Sequence, residues 1–413
     1  MTLFKVLFGA GFLLMAMSSC NSEKEKKQTT QPKAPNKGTL GFDQAFLEDW
    51  DSDLITLHGE GGEAMVLVSA KYQGKVFTSS AEGPQGRSYG WVNYDAFDGP
   101  VDKHMNAYGG ENRFWLGPEG GPYSLYFAPD KEMVFENWFT PASIDTESWN
   151  IVNKDQTSVA LSKETQLQNY QGHQLDIKID RKISLLSQEE IGELADESLR
   201  DTNVKAVGYL TENNIKNVGD TAWTAETGAP CIWILDMFRP SPATTVVIPY
   251  DQSAKSKVAT TDYFGEISED RILHKDGVLY FKADGKSRGK LGLAPDRATE
   301  VAGSYDAENS VLTITRFDLD KEGIYLNQEW KPDVDALKGD AVNAYNDGPL
   351  EDGSQMGPFY EIESVSPAAF LAPGERLGHR HWVYHFSGEE AGLDRIAKKV
   401  LGVDLETIKT AIE

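Results

Sequence analysis

Short runs of alternating apolar and polar residues, broken every few positions by turn residues, make up most of this chain. Met65-Val66-Leu67-Val68, Leu312-Thr313-Ile314-Thr315 and the shared parity of Trp382, Tyr384 and Phe386 are examples. A period of two sends successive side chains to opposite faces of a strand. The Asn-Asp-Gly and Pro-Gly groups between runs mark turns. Helical periodicity is confined to a few places. Ser187-Gln-Glu-Glu190 reads as a capping box opening a short helix through Leu194. A second helix is predicted from Glu389 to Lys399, with Leu393, Ile396, Ala397 and Val400 as its apolar stripe, and a further helical turn over 405–412.

Strands do not alternate with helices of about 10–15 residues, which argues against a parallel α/β fold. No fixed-period repeat points to a propeller or solenoid. The pattern therefore predicts an all-β, antiparallel domain over residues 41–386, large enough for two stacked sheets with a concave face. A helical segment, 387–413, follows it.

The N-terminus changes the picture of compartment. Lys5 precedes an apolar run from Val6 to Met17, and Ser18-Ser19-Cys20 ends it. A run of a dozen residues is too short to cross ~30 Å of hydrocarbon. It reads as a lipoprotein signal peptide, 1–19, leaving Cys20 to carry lipid. Residues 20–40, polar and proline-containing, read as a disordered tether. Asn21 in place of an Asp after the cysteine favours the outer membrane by analogy with sorting rules, so the expected location is that of an exported outer-membrane lipoprotein. The bilayer is then a partner through the Cys20 anchor alone. The other cysteine, Cys231, lies in the apolar run Cys-Ile-Trp-Ile-Leu and reads as a buried, inert thiol.

With 40 basic and 64 acidic residues the chain carries a formal net charge of −24. That balance argues against nucleic acid as a partner and makes neutral saccharides easier to accommodate than strongly anionic polymers.

The richest chemistry lies between Tyr345 and Phe386. Asn346 and Asp347 stand in a turn ahead of Phe359-Tyr-Glu-Ile-Glu-Ser364, where Glu361 and Glu363 share one strand face about 7 Å apart at the backbone. Like charges that close push one carboxyl pKa up, as a general acid or base requires. Pro367 and Leu371-Ala-Pro-Gly-Glu375 follow, then an aromatic strand. This order resembles the C-terminal end of aldose 1-epimerase-like (galactose mutarotase-like) proteins, and among them the mutarotase-like lipoproteins of Bacteroidota-type bacteria. The resemblance implies a β-supersandwich, a sugar or oligosaccharide as partner, and Glu363 at the position of the family's catalytic glutamate.

A second segment, His104 to Phe127, carries two glycine pairs around a strand on which Arg113 and Trp115 share a face, with Glu119 in the turn beyond. Arg offers a planar fork for hydroxyls or a carboxylate, and an indole face packs against a pyranose ring. The arrangement Gly-Gly-x-x-Arg-x-Trp-x-x-Pro-Glu resembles the N-terminal motif of the same lipoproteins. In that superfamily a glutamate takes the anomeric proton while a histidine protonates the ring oxygen. The usual histidine motifs are not recognisable here, and His104, five residues before the first glycine pair, is the positional candidate.

His379, His381 and His385 also share a parity, but no cysteine or close aspartate completes a ligand set, so no metal is expected, nor any cofactor. His381 is kept as an alternative acid or sugar ligand. The candidate catalytic set is Glu363, Glu361 and His104. The candidate binding set is Arg113, Trp115, Glu119, Asn346, Asp347 and His381. The expected function is Glu-based chemistry on a saccharide, epimerase-like or glycoside-cleaving. The alternative is a glycan-binding lipoprotein without turnover.

Overall fold

The computed structural model describes residues 35–195 and 203–412. The signal segment, Cys20 and the tether to residue 34 lie outside them. The described chain opens on helix α1 (Leu40–Trp50) and continues through β1 (Ile55–His58), β2 (Met65–Ser69), β3 (Lys75–Ser80) and β4 (Arg113–Gly117). Then come β5 (Asn150–Lys154), β6 (Ser158–Gln168), β7 (Gln174–Leu185), helix α2 (Gln188–Ala195) and β8 (Val204–Asn217). The second half supplies β9 (Cys231–Phe238), β10 (Thr244–Pro249), β11 (Ile272–Lys275), β12 (Val278–Lys282), β13 (Gly289–Leu293) and β14 (Val301–Asp306). It ends with β15 (Val311–Phe317), β16 (Val342–Asn346), β17 (Tyr360–Val365), β18 (Arg376–Gly388), α3 (Glu390–Val400) and α4 (Leu405–Thr410).

Two sheets dominate. One has ten strands in the order β11-β12-β10-β14-β15-β18-β8-β7-β6-β5, the other five in the order β13-β16-β17-β9-β4, and β1-β2-β3 form a third, small sheet. Every pairing between these named strands is antiparallel, as the period-two pattern predicts. The all-β architecture follows.

The five-stranded sheet departs from one expectation. An antiparallel sheet with one solvated face alternates buried and exposed residues, and β7 does so. In β4, β9, β16 and β17 every residue is buried. One face, with Phe114, Ile232, Ile234, Val342 and Ile362, joins a common core with Val159, Ile177, Ile179 and Val383 of the ten-stranded sheet. The other face is roofed by aromatic loops. That second covering creates the site described below.

Polar groups also cross between the two large sheets. Ser364 Oγ lies 2.8 Å from both His379 Nε2 and His381 Nδ1, and His381 Nε2 lies 2.7 Å from Asp236 Oδ2. The Ser–His–Asp order has the connectivity of a catalytic triad, yet all three side chains are fully buried between sheets. A nucleophile there cannot meet a substrate. His381 is thereby corrected from a cavity residue to a core one: Ser364, its partner, points to the opposite face of β17 from Glu361 and Glu363.

The helices α2, α3 and α4 form where the pattern predicts them. Ser187 N–H donates to Glu190 Oε2 at 2.7 Å and Glu190 N–H to Ser187 Oγ at 3.2 Å, closing the capping box. Leu393, Ile396 and Ala397 of α3 pack on Leu312, Ile314 and Phe386 of the ten-stranded sheet. Helix α1 was not expected. Leu40, Phe46, Leu47 and Trp50 give it an apolar side, which covers Leu67 and Phe77 of the small sheet.

Candidate functional site

Five strands set one row of side chains on the roofed face. Cross-strand register places Arg113 and Trp115 of β4 opposite Leu235 and Trp233 of β9, and Glu361 and Glu363 of β17 opposite Met237 and Leu235. On the far side Glu361 and Glu363 face Tyr345 and Asn343 of β16, and Tyr345 faces Lys290 of β13. Period two does the rest: all of these point the same way. Above them is a cavity of about 610 Å³, counting the solvent at its mouth, lined by Arg113, Trp115, Glu119, Trp233, Lys290, Tyr345 and Glu361 from the floor. Phe135, Trp138, Phe264, Arg288, Trp330, Met356 and Phe359 add walls and rim.

The charged groups are paired across strands. Arg113 Nη2 forms an ion pair with Glu361 Oε1, both nearly buried. Its guanidinium also sits 5.0 Å from the Trp115 ring centroid. Lys290 Nζ donates to Glu363 Oε2 at 2.9 Å, and Trp233 Nε1–H donates to the same oxygen at 2.8 Å. Lys290 lies 4.6 Å from the Trp233 ring centroid. Glu363 Oε1 has no hydrogen-bond partner among the described residues.

Burial pushes the Glu361 carboxyl pKa up; Arg113 opposes this and the neighbouring Glu363 adds to it. The expected repulsion between the two glutamates is therefore present, but removal from water is the larger cause. Burial likewise raises Glu119, against Lys290 and with Glu363. For Lys290 burial works against the charge, but Glu363 and Glu119 outweigh it and hold the ammonium above its ordinary value. The cavity thus joins two carboxyls whose pKa values are raised, chiefly by burial, to a lysine whose pKa is raised by the carboxylates around it.

Backbone geometry explains the glycine pairs. A Cβ on Gly120 would stand 2.2 Å from the Glu329 carbonyl oxygen, so a glycine lets the Glu119 turn approach the loop carrying Trp330. Gly109, at φ +83°, presses on the Trp91 carbonyl in the same way.

Arg113, Trp115, Glu119 and Glu361 come together at the cavity. Glu363 sits just behind it, wholly buried, under Lys290 and Trp233. His104 does not join them. Its ring is stacked between Phe135 and Phe139 at 4.7 Å each, with Nδ1 2.5 Å from the Trp138 carbonyl oxygen, and it does not line the cavity. Asn346 and Asp347 are supports. Asn346 Oδ1 accepts from Gly285 N–H at 2.9 Å and its amide donates to the Ser287 carbonyl at 2.8 Å, fixing the turn ahead of Lys290. Asp347 Oδ1 accepts from the Tyr345 hydroxyl at 2.9 Å. Lys290, in Gly-Lys-Leu-Gly-Leu, and Trp330, in Asn-Gln-Glu-Trp, stand in polar segments that the sequence does not distinguish from solvated loops. Arg288, Phe264 and Trp138 carry no signal that separates them from ordinary loop residues.

Residues 38–412 match the family described as "Family of unknown function (DUF6786)". The chain belongs to this family. No curated protein matches this DUF6786 chain. Solved structures similar to it include the Slr1438 protein of Synechocystis sp. PCC 6803, with 12% identity and a TM-score of 0.47 over 81% of this chain and 96% of that one. A galactose mutarotase-like protein from Lactobacillus casei ATCC 334 shows 8% identity and a TM-score of 0.45 over 80% and 99%. A galactose mutarotase related enzyme from Lactobacillus acidophilus shows 10% identity and a TM-score of 0.38 over 81% and 97%.

Proposed function

We propose that the cavity on the five-stranded sheet takes a saccharide and that Glu361 transfers a proton to or from it. One observation carries this reading: two buried carboxyls, Glu361 and Glu119, face a cavity walled by Trp115, Trp138, Trp233 and Trp330. Indole faces match the C–H faces of a pyranose, and the carboxyls, with Arg113 and Lys290, match its hydroxyls. A carboxyl whose pKa is raised holds its proton to higher pH and can deliver it to a ring or glycosidic oxygen. Glu363, behind the lining, holds Lys290 and the Trp233 indole in place and acts as a positioning residue. The family resemblance of the Glu363 segment gives that strand an anomeric-chemistry precedent. Lipid attachment at Cys20 would hold the domain at a membrane through the tether.

A second reading, glycan capture without turnover, draws on the ion pairs. Glu361 is engaged by Arg113 and Glu363 by Lys290, an arrangement suited to a rigid binding floor. The Glu361→Gln variant separates the two. It keeps shape and a hydrogen-bond acceptor but cannot release a proton. On a saccharide that the wild type turns over, loss of roughly 10²–10⁴ in kcat with binding retained is expected. Undiminished turnover in E361Q would remove Glu361 from the chemistry. A wild type that binds saccharides but turns none over would favour the capture reading.

A further inference from the structure

The three cations of the cavity are not equally committed. Arg113 is engaged by Glu361 and Lys290 by Glu363, both at the floor. Arg288, two residues before Lys290, shares its parity and reaches the same cavity nearer the mouth, where it is exposed. Its guanidinium carbon sits 3.9 Å from the Phe264 ring centroid, and Phe264 in turn packs edge-on to Tyr345 with centroids 6.0 Å apart. Among the described residues Arg288 forms no ion pair. Of the nearby acids, Asp284 pairs with Arg271 at 2.6 Å and Asp347 accepts from Tyr345 and from Gly357 N–H at 3.0 Å, while Glu119 lines the same cavity and acts on Arg288 through its charge without forming an ion pair. In a chain with 64 acidic against 40 basic residues, partners are plentiful, and an arginine that lines an aromatic cavity without one is conspicuous.

One face of Arg288 is covered by the Phe264 ring and cannot hydrate fully, and its guanidinium meets the Tyr345 hydroxyl, which leaves others of its five donors for a ligand. A guanidinium held this way favours an oxyanion, which it can meet with two parallel hydrogen bonds. We propose that the saccharide taken by this cavity carries an anionic substituent, a carboxylate or a sulfate ester, bound by Arg288 at the mouth. This rests on the saccharide reading above and narrows its substrate class. The expectation from net charge, that neutral sugars fit more easily, is reversed locally.

The test is titration calorimetry of the full chain with three sets of oligosaccharides matched in length: neutral, uronate-bearing and sulfated. One acidic set should bind at least tenfold tighter than the neutral one, and the lead should shrink at high salt. In Arg288→Gln the ratio of acidic to neutral affinity should fall to about one, and Arg288→Lys should recover part of it. Preference for the uronates assigns a carboxylate, and preference for the sulfated set assigns a sulfate ester. Equal wild-type affinity for neutral and acidic sets, or an acidic preference that survives R288Q, overturns the anionic-substituent inference and leaves the saccharide reading standing. If no set binds, the saccharide reading itself falls.

Discussion

Glu361 combines two demands that pull against each other. Burial favours its protonated form, while Arg113 favours its charge, so the carboxyl is poised above the usual range near 4.3 for a free glutamate. A group of this kind serves as an acid below its raised pKa and stops doing so above it. Turnover should therefore fall on the alkaline side of a pKa lying above the ordinary carboxylate range, and a rate-pH profile would show it. A profile whose only inflection sits near 4 would contradict the assignment. His379 makes the complementary case in the core. Burial, with a smaller contribution from His381, lowers its pKa to about 3, against about 6.5 in an unfolded chain. The folded pKa is depressed, so the stability that it contributes is full above about pH 6.5 and is lost as pH falls towards 3. Each unit between the two values is worth about 1.4 kcal/mol. Urea midpoints from pH 7 to 4 should drop more steeply for the wild type than for His379→Gln, and parallel curves would rule out His379 as the source.

At the scale of elements, β17 does the most, because its two faces serve different ends. Glu361 turns to the cavity and Glu363, on the same face, to Lys290 and Trp233 behind its lining, while Ser364 turns to the histidines of β18. A one-residue slip in register would exchange the sets and destroy both. Helix α1 has a comparable anchoring role. Asp43, wholly buried, accepts hydrogen bonds from Ser88 and Tyr94 and pairs with Arg239 at 2.8 Å, just beyond the end of β9. Asp43→Ala would leave a partly buried guanidinium and two hydroxyls without their acceptor, and a cost of about 3–5 kcal/mol is expected. Denaturant unfolding checks this, and a cost under about 1 kcal/mol would mean that α1 is held by its apolar side alone.

For the whole molecule, period-two runs made the antiparallel architecture legible, and the parity of Arg113 with Trp115 and of Glu361 with Glu363 correctly put each pair on one face. Register was not legible. Nothing in Gly-Lys-Leu-Gly-Leu says that Lys290 will stand across from Tyr345 and reach Glu363. The same gap hid the position of His104, whose loop folds it against Phe135 and Phe139 instead of towards the glutamates. The parity of His379, His381 and His385 was visible, but which face of β18 meets the second sheet depends on how the sheets stack. Helix α1 did carry an apolar spacing, and its place at the end of a polar tether obscured it. The placement proposed for the chain has its own check. Changing Cys20 to Ser should move the full chain out of the membrane fraction, and retention in the pellet would contradict the lipid anchor.

The central claim is that the roofed face of the five-stranded sheet binds a saccharide. Saturation-transfer NMR of the full chain with the neutral, uronate-bearing and sulfated oligosaccharides tests it most directly. The account predicts saturation of pyranose ring protons by the wild type, strongest on the C–H faces that meet indole, and its loss when Trp115 is changed to Ala in a protein that remains folded. Ring-proton saturation that is absent from every set, or that survives Trp115→Ala undiminished, would contradict it.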